Sequence, residues 1–167
     1  SLGEEAEIRE ELDKKLNSIA RTIDKYSVIT RSAVGRAGAR VIEAAKEFGK
    51  GFSIRVIANG AIVFSHHMDG TSKYNDWWMD KKLNTCREVQ LSSLRFFAEV
   101  EGGLRPRPNW LEYEGNYCID GGCVPMRMKD GRVFGYVIAS GASHELDHEV
   151  ATRGIARFLG IEVPSVS

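Results

Sequence analysis

Two Asx-Gly dipeptides constrain this chain more than any other feature. Phe52, Ile54 and Val56 alternate with outward residues before Asn59-Gly60, and Ala61 to Ser65 returns from it. Asp130-Gly131 stands between Val124–Lys129 and Arg132–Ser140. A two-residue turn that tolerates positive φ matches the twist of its flanking strands, so each dipeptide predicts a tight β-hairpin. In the second hairpin Val133, Gly135, Val137 and Ala139 alternate with Phe134, Tyr136 and Ile138, which predicts cover on both faces. A lone hairpin is marginal in water, so the two are expected to share one sheet.

Helical periodicity fills most of the remainder. Ile8, Leu12, Leu16, Ile19, Ile23 and Tyr26 recur at spacings of three and four and predict a long helix with a narrow apolar stripe. Residues 1–30 therefore read as an N-terminal arm, packed on the chain's own sheet or on a second copy. Ser32 is a candidate cap for a helix carrying Val34, Ala37, Val41, Ala45 and Phe48, thinned by Gly35 and Gly38 and ended by Gly49 and Gly51. Asp76 is expected to cap a helix bearing Trp78, Met79, Leu83 and Cys86, with another helical stretch over about residues 92–100. Residues 101–120 read as irregular, because Pro106 and Pro108 remove donors and restrict their neighbours. Ser143 is the expected cap of a last helix with Leu146, Val150, Ile155, Phe158 and Leu159 on its buried stripe, stopped by Gly160. Helices can then cover both sheet faces, so residues 31–167 are expected to form a single α/β domain, a three-layer α/β/α sandwich with an antiparallel sheet.

Composition excludes several classes of function. Lys+Arg and Asp+Glu both number 23, so the formal net charge is zero and a uniformly basic nucleic-acid partner surface is not expected. No apolar run approaches the ~20 residues that span a bilayer, so no membrane partner is expected. The three cysteines form no CxxC pair, and no basic-then-apolar leader is present; both point to a reducing, cytoplasmic setting. His66, His67, His144 and His148 show no zinc-ligand spacing, so no metal site is assigned. There is no GxGxxG, P-loop, GxSxG or catalytic-cysteine signature.

One region gathers polar residues with chemical potential. Asp147 and His148 fall in the first turn of the last helix, behind Ser140-Gly141. Amides exposed at such a terminus favour an anionic group such as a carboxylate, although Asp147 could equally serve by complementing the helix dipole. Lys82 could clamp the same anion or, like Lys81, cover apolar surface with its stem. Ser92 and Ser93 could cap a helix or line a pocket, and Gly121-Gly122 permits close approach of a strand or ligand.

These residues fall in an ordered set of motifs. Asp69-Gly70, the run Asn75 to Thr85 and Ser92-Ser93 resemble the central motif of the haem-degrading-domain family, in its GlcG-like and HbpS-like branch. Gly121-Gly122-Cys123-Val124-Pro125 resembles its Gly-Gly-x-Pro segment. Ser140-Gly141 with Asp147-His148-Glu149 resembles its Ser-Gly and Asp-His signature. The resemblance runs from about residue 33 to 160. It implies a profilin-like α/β/α sandwich, homo-oligomeric assembly, and haem binding or degradation in some members. Asp120 stands where this branch often has His, which makes binding the safer expectation than turnover.

The leading expectation is therefore a homo-oligomer that binds haem or another small anionic ligand near Lys82, Ser93, Gly121, Gly122, Ser140 and Gly141. His148 is the candidate ligand or proton donor, oriented by Asp147. One alternative is a non-catalytic oligomeric adaptor. Another is an enzyme for a small organic acid, with Lys82 as clamp and His148 as base.

Overall fold

The first Asx-Gly dipeptide forms the turn that its composition predicts. Asn59 and Gly60 have φ of 48° and 79°, and they join β1 (Ser53–Ala58) to β2 (Ala61–His67). The computed structural model describes Gly3, Glu7, Glu10 and residues 34–113, 115–128 and 130–160. The apolar stripe expected over residues 8–26, and the Ser32 cap, lie outside the described residues.

The second hairpin joins β3 (Cys123–Arg127) to β4 (Val133–Ser140), with Gly131 at φ 94°. The four strands form one antiparallel sheet in the order β2-β1-β4-β3. The hairpins thus meet through β1 and β4, with Ser53 opposite Ser140.

Among the described residues, four α-helices with defined bounds accompany the sheet: α1 (Ala37–Lys46), α2 (Lys73–Val89), α3 (Ser93–Glu101) and α4 (His144–Leu159). Strand alternation decides which helix each side chain meets. Ile54, Val56, Val124, Val137 and Ala139 pack with Val41, Ala45, Val150 and Ile155 of α1 and α4. Ile57, Cys123, Tyr136 and Ile138 face the other way and pack with Met79, Leu83 and Cys86 of α2. The fold is therefore a three-layer α/β/α sandwich, and β4 is buried through most of its length. The short α3 touches β3, α2 and α4. The described residues between 102 and 120 are irregular apart from a 3-10 turn at Asn109–Glu112.

Local chemistry moves one helix start. The expected cap was Asp76, but α2 begins at Lys73, capped by Ser72. Ser72 Oγ accepts from the Tyr74 amide at 3.2 Å, and Asn75 Oδ1 accepts from the Ser72 amide at 3.0 Å. This reciprocal capping box uses Asn where Glu or Gln is usual. Asp76 instead pairs with Arg55 of β1 at 2.9 Å.

Candidate functional site

The β4–α4 junction places several candidate residues around one buried ion pair. Ser143 caps α4, its Oγ accepting from the Leu146 amide at 3.3 Å. That cap sets Asp147 one turn into the helix, pointing back at the end of β4. Its Oδ1 accepts from the Gly141 and Ala142 amides at 3.0 and 2.9 Å. Its Oδ2 accepts from Lys82 Nζ at 2.7 Å, and Lys82 also donates to Ala139 O at 3.0 Å. The two side chains are only 3% and 4% exposed.

These contacts correct one part of the expectation that Gly141 and the exposed first-turn amides of α4 await an external anion, because the Gly141 amide is already taken. The carboxylate held by Gly141 and Ala142 belongs to Asp147, six and five residues along the same chain. It meets Lys82 as well, so the cation expected to clamp a ligand is already matched. Burial pushes the Asp147 carboxyl upward, against the opposing pull of Lys82 and the two amides.

Beside this pair lies a cavity of about 220 Å³ lined by Trp78, Lys82, Asp120, Ser140, Ala142, His144 and Asp147. Asn75 fixes Ser140, donating to its Oγ at 3.3 Å and to its carbonyl at 3.4 Å. His144 Nδ1 accepts from the Gly121 amide at 3.2 Å, while Nε2 stands 2.9 Å from Glu145 Oε1. Nδ1 as an acceptor puts the ring proton of a neutral imidazole on Nε2.

The remaining expected site residues lie close by with different duties. Gly122 has φ 130°, and a Cβ there would fall 2.7 Å from Lys82 Nζ; glycine makes room for the ammonium. Ser93 is fully buried, and its Oγ accepts from the Cys123 amide at 3.1 Å, fastening α3 to β3. His148 is fully buried and does not line the cavity. Asp147 of the same helix turn is directed toward Lys82 and the Gly141 and Ala142 amides.

Trp78, Asp120 and His144 are cavity residues that the sequence did not single out for the site. The available signal was position: His144 directly follows the Ser143 cap, so its ring emerges at the same junction as Ser140. Asp120, where the resembling branch often has His, lies 4.0 Å from His144.

A second, more open groove of about 650 Å³ runs between the end of α1 and the end of β2. Its lining includes Ile42, Lys46, Lys50, His66, His67 and Met68. His67 is engaged on both ring nitrogens, with Ser53 Oγ at 2.6 Å and Asp76 Oδ1 at 3.2 Å. His66 points to the opposite side of the strand and is exposed, beside Phe64.

An antiparallel sheet between two helical layers, with a buried Lys–Asp pair where the central strand hands over to the last helix, defines a small α/β/α sandwich with a cavity at its switch from strand to helix. The chain belongs to the family described as haem-degrading protein, HbpS-like, which it matches over residues 29–156. A UPF0303 protein of Yersinia pseudotuberculosis is 27% identical over 136 residues, covering 77% of this chain and 76% of the relative. The crystal structure of Ybr137w protein superposes with a TM-score of 0.72 at 22% identity, over 97% of this chain and 96% of the other. A PduOC–haem complex gives 0.65 at 18% identity, over 83% and 98%. At these identities the two structures bear on the fold.

Proposed function

We propose that this protein binds haem, or a similar dianionic metalloporphyrin, in the groove between α1 and β2. The choice of ligand is supported by the family's description and by the haem in the PduOC complex. The observation that carries the location is the pairing of Lys46 and Lys50 with His66 and Met68 around about 650 Å³ of open space.

Size, charge and protonation separate the two cavities. Sites that enclose drug-sized ligands run to ~300–1,000 Å³, and the cavity beside α4 falls below that range. Its Asp120 and Asp147 would oppose propionates, and its ammonium is already paired. His144 carries its proton on the nitrogen that an iron would need. In the groove, Lys46 and Lys50 outnumber the one lining carboxylate (Asp69), Ile42 and Met68 offer apolar contact, and His66 offers an exposed imidazole. Among the described residues no three His, Cys, Asp or Glu side chains gather around a bare ion. One imidazole is enough for iron that a macrocycle already holds.

When bound, haem would supply the redox chemistry, and the chain would position and shield it. Self-assembly, which rests on the family resemblance, and a cytoplasmic setting, which rests on the cysteine pattern, belong to the same reading. Absorbance titration with ferric haem tests it. The wild-type chain should shift the Soret band with saturable, near-stoichiometric binding, and Lys46→Glu with Lys50→Glu should weaken that binding. An unshifted band, or equal affinity in the charge-reversed variant, contradicts the proposal.

A further inference from the structure

His144 stands in the wall of the cavity beside α4 with both ring nitrogens engaged. Nδ1 accepts from the Gly121 amide at 3.2 Å, and Nε2 donates toward Glu145 Oε1 at 2.9 Å. That arrangement suits only the neutral ring, which has one donor and one acceptor. A proton added at Nδ1 would turn the acceptor into a donor aimed at another donor. A carboxylate is in reach of that proton, because Asp120 Oδ1 lies 4.0 Å from Nδ1. The His144 side chain is 19% exposed, so protons reach it without opening the fold.

Packing leaves the displaced amide little room to stay. A Cβ on Gly121 would fall 2.6 Å from the His144 carbonyl oxygen and 2.8 Å from Leu94 Cδ1, so the residue is wedged between α3 and α4. Downstream the chain is fixed. Gly122 O accepts from the Ala139 amide at 2.9 Å, and the Cys123 amide donates to Ser93 Oγ at 3.1 Å. Upstream lies the irregular segment that ends at Asp120. A response to His144 is therefore confined to Asp120 and Gly121.

We propose that His144, Gly121 and Asp120 form a pH-sensitive latch in the wall of this cavity. With the ring neutral, Nδ1 holds the Gly121 amide, and Asp120 keeps its charge toward the cavity. With the ring protonated, Gly121 is released and Asp120 is drawn onto Nδ1. One carboxylate then leaves the cavity, and one backbone donor is freed at its edge. The surrounding charges fit this exchange. Glu145 and Asp147 come from α4, Asp120 from the segment before β3, and Lys82 from α2. Asp147 already matches Lys82, and α3 presents only the uncharged ring of Phe97, 4.5 Å away and edge-on. A protonated ring would thus find a carboxylate at each nitrogen. None of the three latch residues lines the groove between α1 and β2, so the latch and haem binding fail separately.

Amide hydrogen exchange and two-dimensional NMR of the full chain test the latch between about pH 8 and pH 5, where histidine changes charge. Across the titration of the His144 ring, Gly121 should lose protection by about 10-fold after correction for the intrinsic rate, as loss of one hydrogen bond requires. Its amide signal should move with the midpoint read from the ring itself. The Ala139 amide, held by Gly122 O, should stay protected. His144→Gln keeps an acceptor that takes no proton, and there Gly121 should be flat over the same range. Asp120→Asn should move the change to lower pH, since Nδ1–H would meet an amide in place of a carboxylate. A ring that stays neutral down to about pH 5, or a Gly121 amide that ignores the ring's midpoint, overturns the inference. So does loss of Ala139 protection along with Gly121, an unchanged pH dependence in His144→Gln, or an unmoved midpoint in Asp120→Asn. The wild-type spectra decide alone where a variant does not fold.

Discussion

Lys82 Nζ and Asp147 Oδ2 lie 2.7 Å apart, on helices α2 and α4 that flank opposite faces of the sheet. The pair reaches around the end of β4 and ties the outer layers together. Breaking a buried ion pair by removing one partner costs about 3–5 kcal/mol, because the other charge is stranded. Lys82→Met is therefore expected to destabilise the fold by that order. Asp147→Asn keeps an oxygen for the Gly141 and Ala142 amides but leaves Lys82 unmatched. Lys82→Met with Asp147→Asn removes both charges and keeps the amide contacts. It should be more stable in urea unfolding than the sum of the single losses predicts. Simple additivity would contradict a coupled pair.

Gly154 sets how closely α4 approaches α1. A Cβ there would lie 2.3 Å from Val41 Cγ2 and 2.5 Å from Val41 Cα. The second clash is with backbone, which no rotamer relieves. Helix propensity alone makes Gly154→Ala stabilising by ~1 kcal/mol. Overpacking costs about 1–3 kcal/mol and should prevail, so the melting temperature is expected to fall. A rise would mean that the α1–α4 contact is looser than the structure shows.

Burial pushes the Cys118 thiol from its ordinary value of 9.0 to about 11. All three cysteines are buried, so the folded protein should react slowly with thiol reagents at neutral pH and fully once unfolded. The unfolded chain releases this proton before the folded one does. The contribution of Cys118 to stability is therefore complete below pH 9.0 and is lost as pH rises toward about 11. Cys118→Ser should flatten that alkaline decline in denaturant titrations. An identical decline in the variant would assign it to other groups.

Much of the fold was legible because its signals are local. Asn59-Gly60 needed no partner to announce a turn, and the Ser143 cap and Gly160 stop are read within a few residues. The hairpins themselves do not reveal that β1 pairs with β4, since that contact joins distant segments. Two β-bulges also escape the alternating pattern. One interrupts the β1–β2 register after Val56, and the other interrupts β3–β4 after Met126. The second bulge lets Phe134 join the α1–α4 side of the core with Val137, despite the odd spacing between them.

The site residues singled out from the sequence gather beside α4, and none of them lines the groove proposed for the ligand. Lys82, Ser140 and Asp147 were singled out, and all three line one cavity. Their roles depended on contacts that spacing cannot supply. Lys82 and Asp147 are 65 positions apart, so nothing local showed that one would satisfy the other. A helix terminus looks like an anion site until its own side chain is seen to fill it. His66 carried no motif, and it acquires meaning only beside Lys46 and Lys50 across the groove.

The most direct test compares ferric-haem titrations of the wild-type chain, His66→Ala and His144→Ala. The account predicts that His144→Ala keeps the wild-type Soret shift. His66→Ala should lose the spectrum of a histidine-ligated iron and bind more weakly. Loss of that spectrum in His144→Ala, with His66→Ala unchanged, would contradict the account and return the ligand to the cavity beside α4.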